Sequence, residues 1–275
     1  MCTREFGLLH MIVIKFGGHA MTDFSGAFAE VIKRAIEKEP CIIVHGGGPQ
    51  IDAALKTHQL DSTFAGGFRV TTPEIFAVVQ QVLSGTVLRE VVGHLRAHDV
   101  NAVGISGRDG GTLQAVQLRT LLDGTEADLG RVGEVIKVDT QLLQSLLDCD
   151  FTPVVSPIAV EFDGHVEIAQ HGLNVNADLA AAAIAGAMDA SSLIFMTDVP
   201  GIYRNWPDRG SLINEISAKE LRQIKGEFDG GMAPKVKACL DAIEKGAKVV
   251  RIVDGRDPKA LDDALNGIGG TQVYV

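Results

Sequence analysis

Two apolar segments of this chain run directly into clusters of glycine. Residues 11–16 are followed by Gly17-Gly18, and residues 41–45 are followed by Gly46-Gly47-Gly48. A continuous apolar run of this length is typical of a strand buried on both faces of a parallel sheet. Ligands of open α/β sheets bind outside the carboxyl ends of the strands, where glycine lets the backbone come close. The sequence therefore predicts one crevice lined by backbone N–H groups, with Lys15 beside it, which suits phosphate.

Helix-like and strand-like segments alternate along the rest of the chain, which is typical of an α/β fold. Helices are predicted at residues 25–38, 48–58, 72–98, 139–147, 176–188, 217–225 and 234–245. Strands are predicted at 102–105, 153–158, 193–197, 249–253 and 271–275, the last closing the sheet, with antiparallel segments at 113–118, 132–138 and 160–168. Glycine- and aspartate-bearing turns begin again near residue 173. We therefore expect an amino-terminal lobe at 1–172 and a carboxyl-terminal lobe at 173–275.

Charge and composition argue against several classes of protein. A formal net charge of −10 over 275 residues disfavours a nucleic acid or an anionic membrane as the partner. We find no signal peptide and no run of about 18 uncharged apolar residues, so we expect no membrane association. The four cysteines, Cys2, Cys41, Cys149 and Cys239, form no CxxC pair, as in reduced intracellular proteins. The composition thus predicts a cytoplasmic protein.

The glycine clusters do not match the common nucleotide-binding motifs. The segment beginning Gly46-Gly47-Gly48 lacks the sixth-position glycine of the dinucleotide fingerprint, Pro49 occupies its turn, and the P-loop pattern is absent. His94 and His98 lack the glutamate of a metalloprotease helix, so we interpret them as a solvated helix face. No Ser/His/Asp or Cys/His arrangement stands out. The sequence predicts a phosphate site of another type, and plain tight turns remain the alternative for each cluster.

Five polar side chains are further candidates for the site. Asn174, Asn176 and Asp178 stand at alternate positions before or within the first turn of an Ala-rich helix. Capping needs one such residue, so the other two suit a polar substrate. Lys235 lies at a helix amino terminus, where the dipole disfavours a lysine unless an anion binds, and Arg69 could pair with a carboxylate. For Lys235 and Arg69 a solvated surface position is the alternative on local grounds.

Taken together, these segments resemble the amino acid kinase family. The matching pieces keep the family order and cover nearly the whole chain. They are Lys15-Phe-Gly-Gly18, His45-Gly-Gly-Gly-Pro-Gln50, Gly67-Phe-Arg-Val-Thr71, Gly104-Ile-Ser-Gly107, Gly130-Arg-Val-Gly133, Asn174-Val-Asn-Ala-Asp178, Thr197-Asp-Val-Pro-Gly201 and Gly231-Met-Ala-Pro-Lys235. The resemblance implies a three-layer α/β/α sandwich with a central, mainly parallel sheet. It implies that the amino-terminal lobe binds an acyl amino acid and the carboxyl-terminal lobe binds ATP with Mg²⁺.

Within the family, the chain is most similar to the members that phosphorylate the γ-carboxylate of N-acetyl-L-glutamate in arginine biosynthesis. By position in the motifs, Lys15 and Lys235 would neutralise the transferring phosphoryl group, and Asp178 would hold both lysines. Phosphate and substrate would receive N–H donors from Gly17, Gly18, Gly46, Gly47 and Gly48. The substrate's α-carboxylate and acetamido group would be bound by Arg69 and Asn174, with Asn176 alongside, while Thr197 and Asp198 would border the nucleotide.

The implied chemistry needs no general base, because a carboxylate nucleophile is already ionised at neutral pH. It needs charge neutralisation and positioning, which lysines, amide N–H groups and Mg²⁺ supply. Asp178 is then an electrostatic and structural residue, and no protein metal ligand is implied. His19 and the segment 164–172 depart from the family pattern, which bears on the first phosphate turn and on entry to the pocket.

The family resemblance does not by itself decide the oligomeric state, and it leaves two alternatives to the function given above. Only residues 1–10 precede the first strand, so we expect a homodimer that arginine does not inhibit, rather than a hexamer tied by an amino-terminal helix. The alternatives are a related kinase acting on carrier-linked aminoadipate and a non-catalytic nucleotide or amino-acid sensor. The segments 45–50 and 174–176 favour acetylglutamate over aminoadipate. Joint retention of Lys15, Asp178 and Lys235 favours an enzyme.

Overall fold

The computed structural model describes residues 11–17, 25–121, 124–162, 167–228 and 232–275. Its strands, in chain order, are β1 (Ile12–Phe16), β2 (Cys41–His45), β3 (Phe64–Ala65), β4 (Phe68–Arg69), β5 (Ala102–Ser106), β6 (Leu113–Gln117), β7 (Val132–Val138), β8 (Thr152–Ser156), β9 (Ile158–Phe162), β10 (Glu167–Val175), β11 (Ser192–Thr197), β12 (Glu215–Ser217), β13 (Val249–Asp254) and β14 (Thr271–Tyr274). The helices are α1 (Ala27–Ile36), α2 (Gly48–Thr57), α3 (Pro73–Gln80), α4 (Leu88–Ala97), α5 (Gln141–Asp148), α6 (Ala177–Ala187), α7 (Ala218–Ile224), α8 (Ala233–Glu244) and α9 (Pro258–Leu265). Helices and strands therefore alternate much as the sequence predicts.

One eight-stranded sheet runs through the described chain in the order β12-β14-β13-β11-β1-β2-β8-β5. Each neighbouring pair is parallel except β13 and β14, which are antiparallel. The predicted mainly parallel sheet is thus confirmed. The predicted boundary between residues 172 and 173 falls inside β10, and the sheet continues across both halves of the chain, so the two-lobe division stays a prediction.

The alternation of side chains along the central strands builds a core on each face of this sheet. Val13, Ile42 and Val44 belong to one apolar cluster, with the Ala-rich α6 and α8. The neighbouring residues Ile14 and Ile43 belong to the other cluster, which includes the buried faces of α1, α3 and α4. Successive side chains of a strand point to opposite faces, so a strand that is apolar throughout must be covered on both sides. This is the three-layer arrangement.

A side-chain oxygen caps the amino terminus of α3, α6, α7 and α9. Thr72 accepts a hydrogen bond from the N–H of Ile75 at 3.3 Å, and Pro73 occupies the first turn of α3, as the sequence predicts.

A π-helical segment, Gln81–Val87, joins α3 to α4, which makes one long helical element. That element is long and apolar enough to cross a membrane by length and composition, yet half of its most apolar window is buried in the fold. Its apolar character therefore reflects packing against the sheet.

Three features differ from the sequence-based expectation or add to it. The sequence predicts that β14 closes the sheet, but β14 is not the edge strand, because β12 pairs on its outer side. With three residues, β12 is too short to show a strand pattern in the sequence. Strands β10, β7, β6 and β9 form a small closed barrel, of which only the antiparallel pairings of β6 with β7 and β9 with β10 were expected. The segment around residues 64–70 is a two-stranded hairpin, β3 and β4.

Candidate active site

The ends of β1 and β2, which the two glycine clusters follow, lie side by side at the carboxyl edge of the sheet. β1 and β2 pair in register from Ile12 with Cys41 to Phe16 with His45, and the N–H of Gly46 donates to the carbonyl of Phe16 at 3.0 Å. A Cβ placed on Gly46 or Gly48 would meet no atom within 4 Å. Helix α2 begins at Gly48, so its unsatisfied first N–H groups lie at this open space. The arrangement suits an anion.

Lys15 and Asp178 form the ionic centre of this edge. Lys15 Nζ lies 3.0 Å from Asp178 Oδ1, and the two side chains are 17% and 35% exposed. Lys15 comes from β1 and Asp178 from the first turn of α6. A Cβ at Gly17 would lie 2.9 Å from Lys15 Nζ, so glycine at position 17 gives the ammonium group its room. Gly18 and His19 lie outside the described residues.

The three polar residues around the start of α6 have different partners. Asn176 caps the helix, because its Oδ1 accepts hydrogen bonds from the N–H groups of Asp178 at 2.8 Å and Leu179 at 3.2 Å. Asn174 instead donates from Nδ2 to Thr71 Oγ1 at 3.3 Å. One residue therefore caps, as expected for a single capping position, while Asp178 pairs with Lys15. Capping also sets the direction in which the first turn of α6 presents Asp178.

Arg69 is not a surface residue. Its side chain is 6% exposed and its Nη2 lies 2.7 Å from Asp52 Oδ1. Nη1 donates to Ser62 Oγ at 2.5 Å, and the guanidinium carbon lies 4.7 Å from the centre of the Phe64 ring. Sequence reasoning missed all three partners. The one sequence signal for the ion pair was Asp52. It follows Gly48 by one helical turn, so its carboxylate lies on the same side of α2 as the glycine turn.

Arg69 and the asparagines share one pocket. It has a volume of about 270 Å³ and includes Gly48, Asp52, Phe64, Arg69, Asn174 and Asn176 in its lining. The pocket combines the Arg69–Asp52 ion pair, two amides and two aromatic rings, so it offers guanidinium and amide groups to a small polar molecule with a carboxylate and an amide. Because Gly48 lines it, the pocket adjoins the glycine turn that follows β2.

Lys235 belongs to a second ion pair on the other side of β1. Its Nζ lies 2.9 Å from Asp198 Oδ1, and this hydrogen bond is the main cause that lowers the pKa of the Asp198 carboxyl. Asp198 follows β11, the neighbour of β1, so both ion pairs belong to the carboxyl edge of the sheet. Thr197 Oγ1 donates to the carbonyl of Val199 at 3.0 Å and shapes this turn. The structure thus pairs Asp178 with Lys15, and a link from Asp178 to Lys235 stays a prediction.

The site offers two carboxylates, those of Asp178 and Asp198, to a metal ion. Among the residues that the structure describes, no group of three or more His, Cys, Asp or Glu side chains could hold a metal ion. Mg²⁺ commonly binds through substrate phosphates with one or two carboxylates. The carboxylates of Asp178 and Asp198, each paired with a lysine, fit a metal ion that arrives with a nucleotide.

Comparison with known proteins agrees with this geometry. Residues 10–254 match the amino acid kinase family. The chain belongs to that family. An acetylglutamate kinase from Paenarthrobacter aurescens is 48% identical over 258 residues, covering 91% of this chain and 81% of the relative. An acetylglutamate kinase from Bifidobacterium adolescentis is 45% identical over 265 residues, covering 94% and 82%.

Solved structures show the same amino acid kinase fold at lower identity. A carbamate kinase from Giardia lamblia superposes with a TM-score of 0.69 at 20% identity, covering 97% of this chain and 99% of that chain. An N-acetylglutamate synthase from Neisseria gonorrhoeae gives a TM-score of 0.80 at 22% identity, covering 97% of this chain and 59% of that chain. At these identities the likeness concerns the fold alone.

Proposed function

We propose that this chain is an acetylglutamate kinase. It transfers the γ-phosphoryl group of ATP to the γ-carboxylate of N-acetyl-L-glutamate and forms N-acetylglutamyl 5-phosphate, a step of arginine biosynthesis. The observation that carries the proposal is the 48% identity to a kinase of that name over 91% of the chain. The acyl pocket and the ion pairs at the carboxyl edge of the sheet support it independently.

The pocket around Arg69 binds the acyl amino acid. Its guanidinium is held by Asp52 and Ser62, which leaves other N–H donors of the planar fork for the substrate's α-carboxylate. Asn174 supplies an amide that matches the acetamido group. Because Gly48 lines the same pocket, the γ-carboxylate at the far end of the substrate reaches the glycine turn.

Lys15 acts on the group being transferred. An anionic carboxylate attacks a polyanionic phosphate, so the barrier is chiefly one of charge, and fixed positive groups lower it. Asp178 holds the Lys15 ammonium at 3.0 Å and directs it over Gly17. The N–H groups at the start of α2 add donors that need no rearrangement during the reaction.

Lys235 neutralises the phosphates from the nucleotide side. Its Nζ pairs with Asp198, whose side chain is 76% exposed. That pair costs little to break in water, so the lysine is available to a phosphate. We propose that Thr197 and Asp198 border the nucleotide. Mg²⁺ bound with the phosphates would supply further charge neutralisation, and the carboxylates of Asp178 and Asp198 would be available to hold it.

One assay tests the substrate. The protein is incubated with Mg-ATP and hydroxylamine, and acyl hydroxamate is measured with N-acetylglutamate, N-acetylaminoadipate, aspartate or no acceptor. We expect product with N-acetylglutamate only. Product with N-acetylaminoadipate alone would assign the related kinase of lysine synthesis, and no product with any acceptor, in a protein that binds ATP, would assign a sensor.

We also propose that the enzyme is a cytoplasmic homodimer that arginine does not inhibit. Cys41 and Cys239 are buried thiols, as is common for proteins of a reducing compartment. Light scattering after gel filtration gives the mass of the assembly. Twice the mass of one chain, with activity unchanged by millimolar arginine, is the expected result; a hexamer or inhibition by arginine contradicts the proposal.

A further inference from the structure

His45 is the last residue of β2 and has no exposed surface. Its Nδ1 lies 2.7 Å from the carbonyl oxygen of Gly46, the next residue in the chain. A carbonyl oxygen only accepts hydrogen bonds, so Nδ1 carries the hydrogen and donates it. The imidazole is therefore hydrogen-bonded to the backbone of the glycine turn itself.

The other ring nitrogen has no such role. Nε2 is buried and has no hydrogen-bond partner among the described residues. Burial lowers the pKa of His45 to about 4, so the ring is neutral and Nε2 presents an unused lone pair. A buried polar atom without a partner costs free energy. An apolar residue at position 45 would avoid that cost, so the hydrogen bond made by Nδ1 is the better explanation for a histidine at this position.

Three hydrogen bonds determine the path of the backbone through the turn. The N–H of Gly46 donates to Phe16 at 3.0 Å, and the carbonyl of Gly47 accepts from the N–H of Ile51 at 2.9 Å. Between them lies the peptide that joins Gly46 to Gly47, whose carbonyl is held by His45. Glycine rotates freely about its backbone bonds, so without His45 this peptide plane is the least restrained of the turn.

We propose that His45 is a positioning residue that orients the Gly46–Gly47 peptide so that the N–H of Gly47 donates to the transferring phosphoryl group. In a trans peptide the C=O and N–H bonds point in opposite directions. Holding the carbonyl against the buried imidazole therefore directs the N–H away from the core, towards the open space beside Gly46 and Gly48. The inference rests on the proposed kinase reaction and adds to it the residue that holds one of its donors.

The experiment compares two amides at position 45. In His45→Asn the side-chain nitrogen occupies about the place of Nδ1, whereas in His45→Gln it occupies about the place of Nε2. Both variants are polar and neutral, and both lack the imidazole ring, so they differ chiefly in where the amide nitrogen lies. We expect His45→Asn to retain kcat within about threefold of wild type, and His45→Gln to lose kcat by roughly 10- to 100-fold with little change in KM, as for loss of one oriented donor.

A second readout separates positioning from folding. Binding of MgADP with aluminium fluoride and N-acetylglutamate, which imitates the transferring group, is measured beside binding of MgADP alone. His45→Gln should weaken the former and leave the latter unchanged. His98 is the matched control, because its Nδ1 also lies near a backbone carbonyl, that of His94 at 2.9 Å. His98→Asn and His98→Gln should have equal kcat values.

Equal kcat values for His45→Asn and His45→Gln would overturn the inference, and so would equal weakening of both ligands. If His45→Gln is too unstable to assay, normal kcat and normal binding of the fluoride complex in His45→Asn support the inference, and their loss overturns it. Failure of the proposed function looks different, since wild type would then form no hydroxamate with N-acetylglutamate.

Discussion

Lys15 Nζ lies 3.0 Å from Asp178 Oδ1, and this ion pair joins the carboxyl end of β1 to the first turn of α6. Asn176 caps the same turn, so the carboxylate is presented by a rigid element. Both side chains keep some contact with solvent, which leaves the ammonium group accessible to a ligand. The pair is therefore built for orientation more than for stability.

Asp178 is expected to matter through the lysine that it holds. In Asp178→Asn, the amide keeps its size but loses the charge that attracts Lys15. We predict a decrease in kcat of about 10- to 100-fold, on the order of 1.4–2.7 kcal/mol of transition-state stabilisation, measured with saturating substrates.

The pH profile decides between this role and that of a general base. If Asp178 orients Lys15, the residual activity of Asp178→Asn should follow the same pH dependence as wild type. Asp189, whose carboxylate pairs with Lys248 at 2.8 Å, provides the control. Asp189→Asn should leave kcat unchanged. Loss of a pH-dependent limb of the profile in Asp178→Asn alone would contradict the account.

Arg69→Lys should impair binding of the acyl amino acid. Lysine keeps the charge but lacks the planar fork that contacts Asp52 and Ser62 while presenting further donors. We predict an increase in KM for N-acetylglutamate of about 10-fold or more, with KM for ATP nearly unchanged. Initial rates over both substrate concentrations give the two constants. A KM for N-acetylglutamate equal to that of wild type would remove Arg69 from the substrate site.

Gly48→Ala separates stability from function at the glycine turn. Gly48 is the first residue of α2, and a Cβ there meets nothing within 4 Å. Alanine should therefore stabilise the helix by about 0.5 kcal/mol or more, while its methyl group enters the space meant for substrate. We predict a raised melting temperature together with reduced kcat/KM. Gly93→Ala, in α4 with similarly open space, should stabilise without reducing activity.

His45 should make stability depend on pH below neutrality. Its pKa is about 4 in the folded protein against 6.5 ordinarily, so between these values the unfolded chain binds the additional proton. The free energy of unfolding then falls as the pH drops from 6.5 towards 4, by ~3 kcal/mol if the full difference is expressed. Urea unfolding of wild type and His45→Asn at pH 7 and pH 5 measures this. The variant should lose less stability than wild type, and equal losses would contradict the prediction.

Much of the sheet could be predicted because its central strands are apolar throughout. In β1 and β2 the continuous apolar sequence follows directly from burial of the strand on both faces of the sheet. The glycines after these strands indicate which edge of the sheet carries the site. β12 could not be predicted, since three residues, Glu215–Ser217, form a strand only because β14 lies beside them. The four-stranded barrel likewise depends on pairings such as β6 with β9, which are distant in sequence.

Single site residues were harder to predict than the motifs that contain them. Arg69 gave no local sign of burial, because its charge is compensated by Asp52, 17 positions earlier in the chain and on another element. The ion pair of Lys235 with Asp198 was not predicted, and the expected link of Lys235 to Asp178 stays a prediction. Side-chain pairing of this kind is decided by the tertiary placement of α6, α8 and the turn after β11, which no local pattern encodes.

We propose that Lys15 and Lys235 neutralise charge that is greatest in the transition state. Steady-state kinetics of Lys15→Ala and Lys235→Ala measure this, with Lys33→Ala and Lys259→Ala as controls that lose only the ion pairs with Asp99 and Asp263. We predict that each site variant lowers kcat by on the order of 100-fold or more while KM values change only a few-fold, and that the controls behave as wild type. A near-normal kcat in either site variant would contradict it.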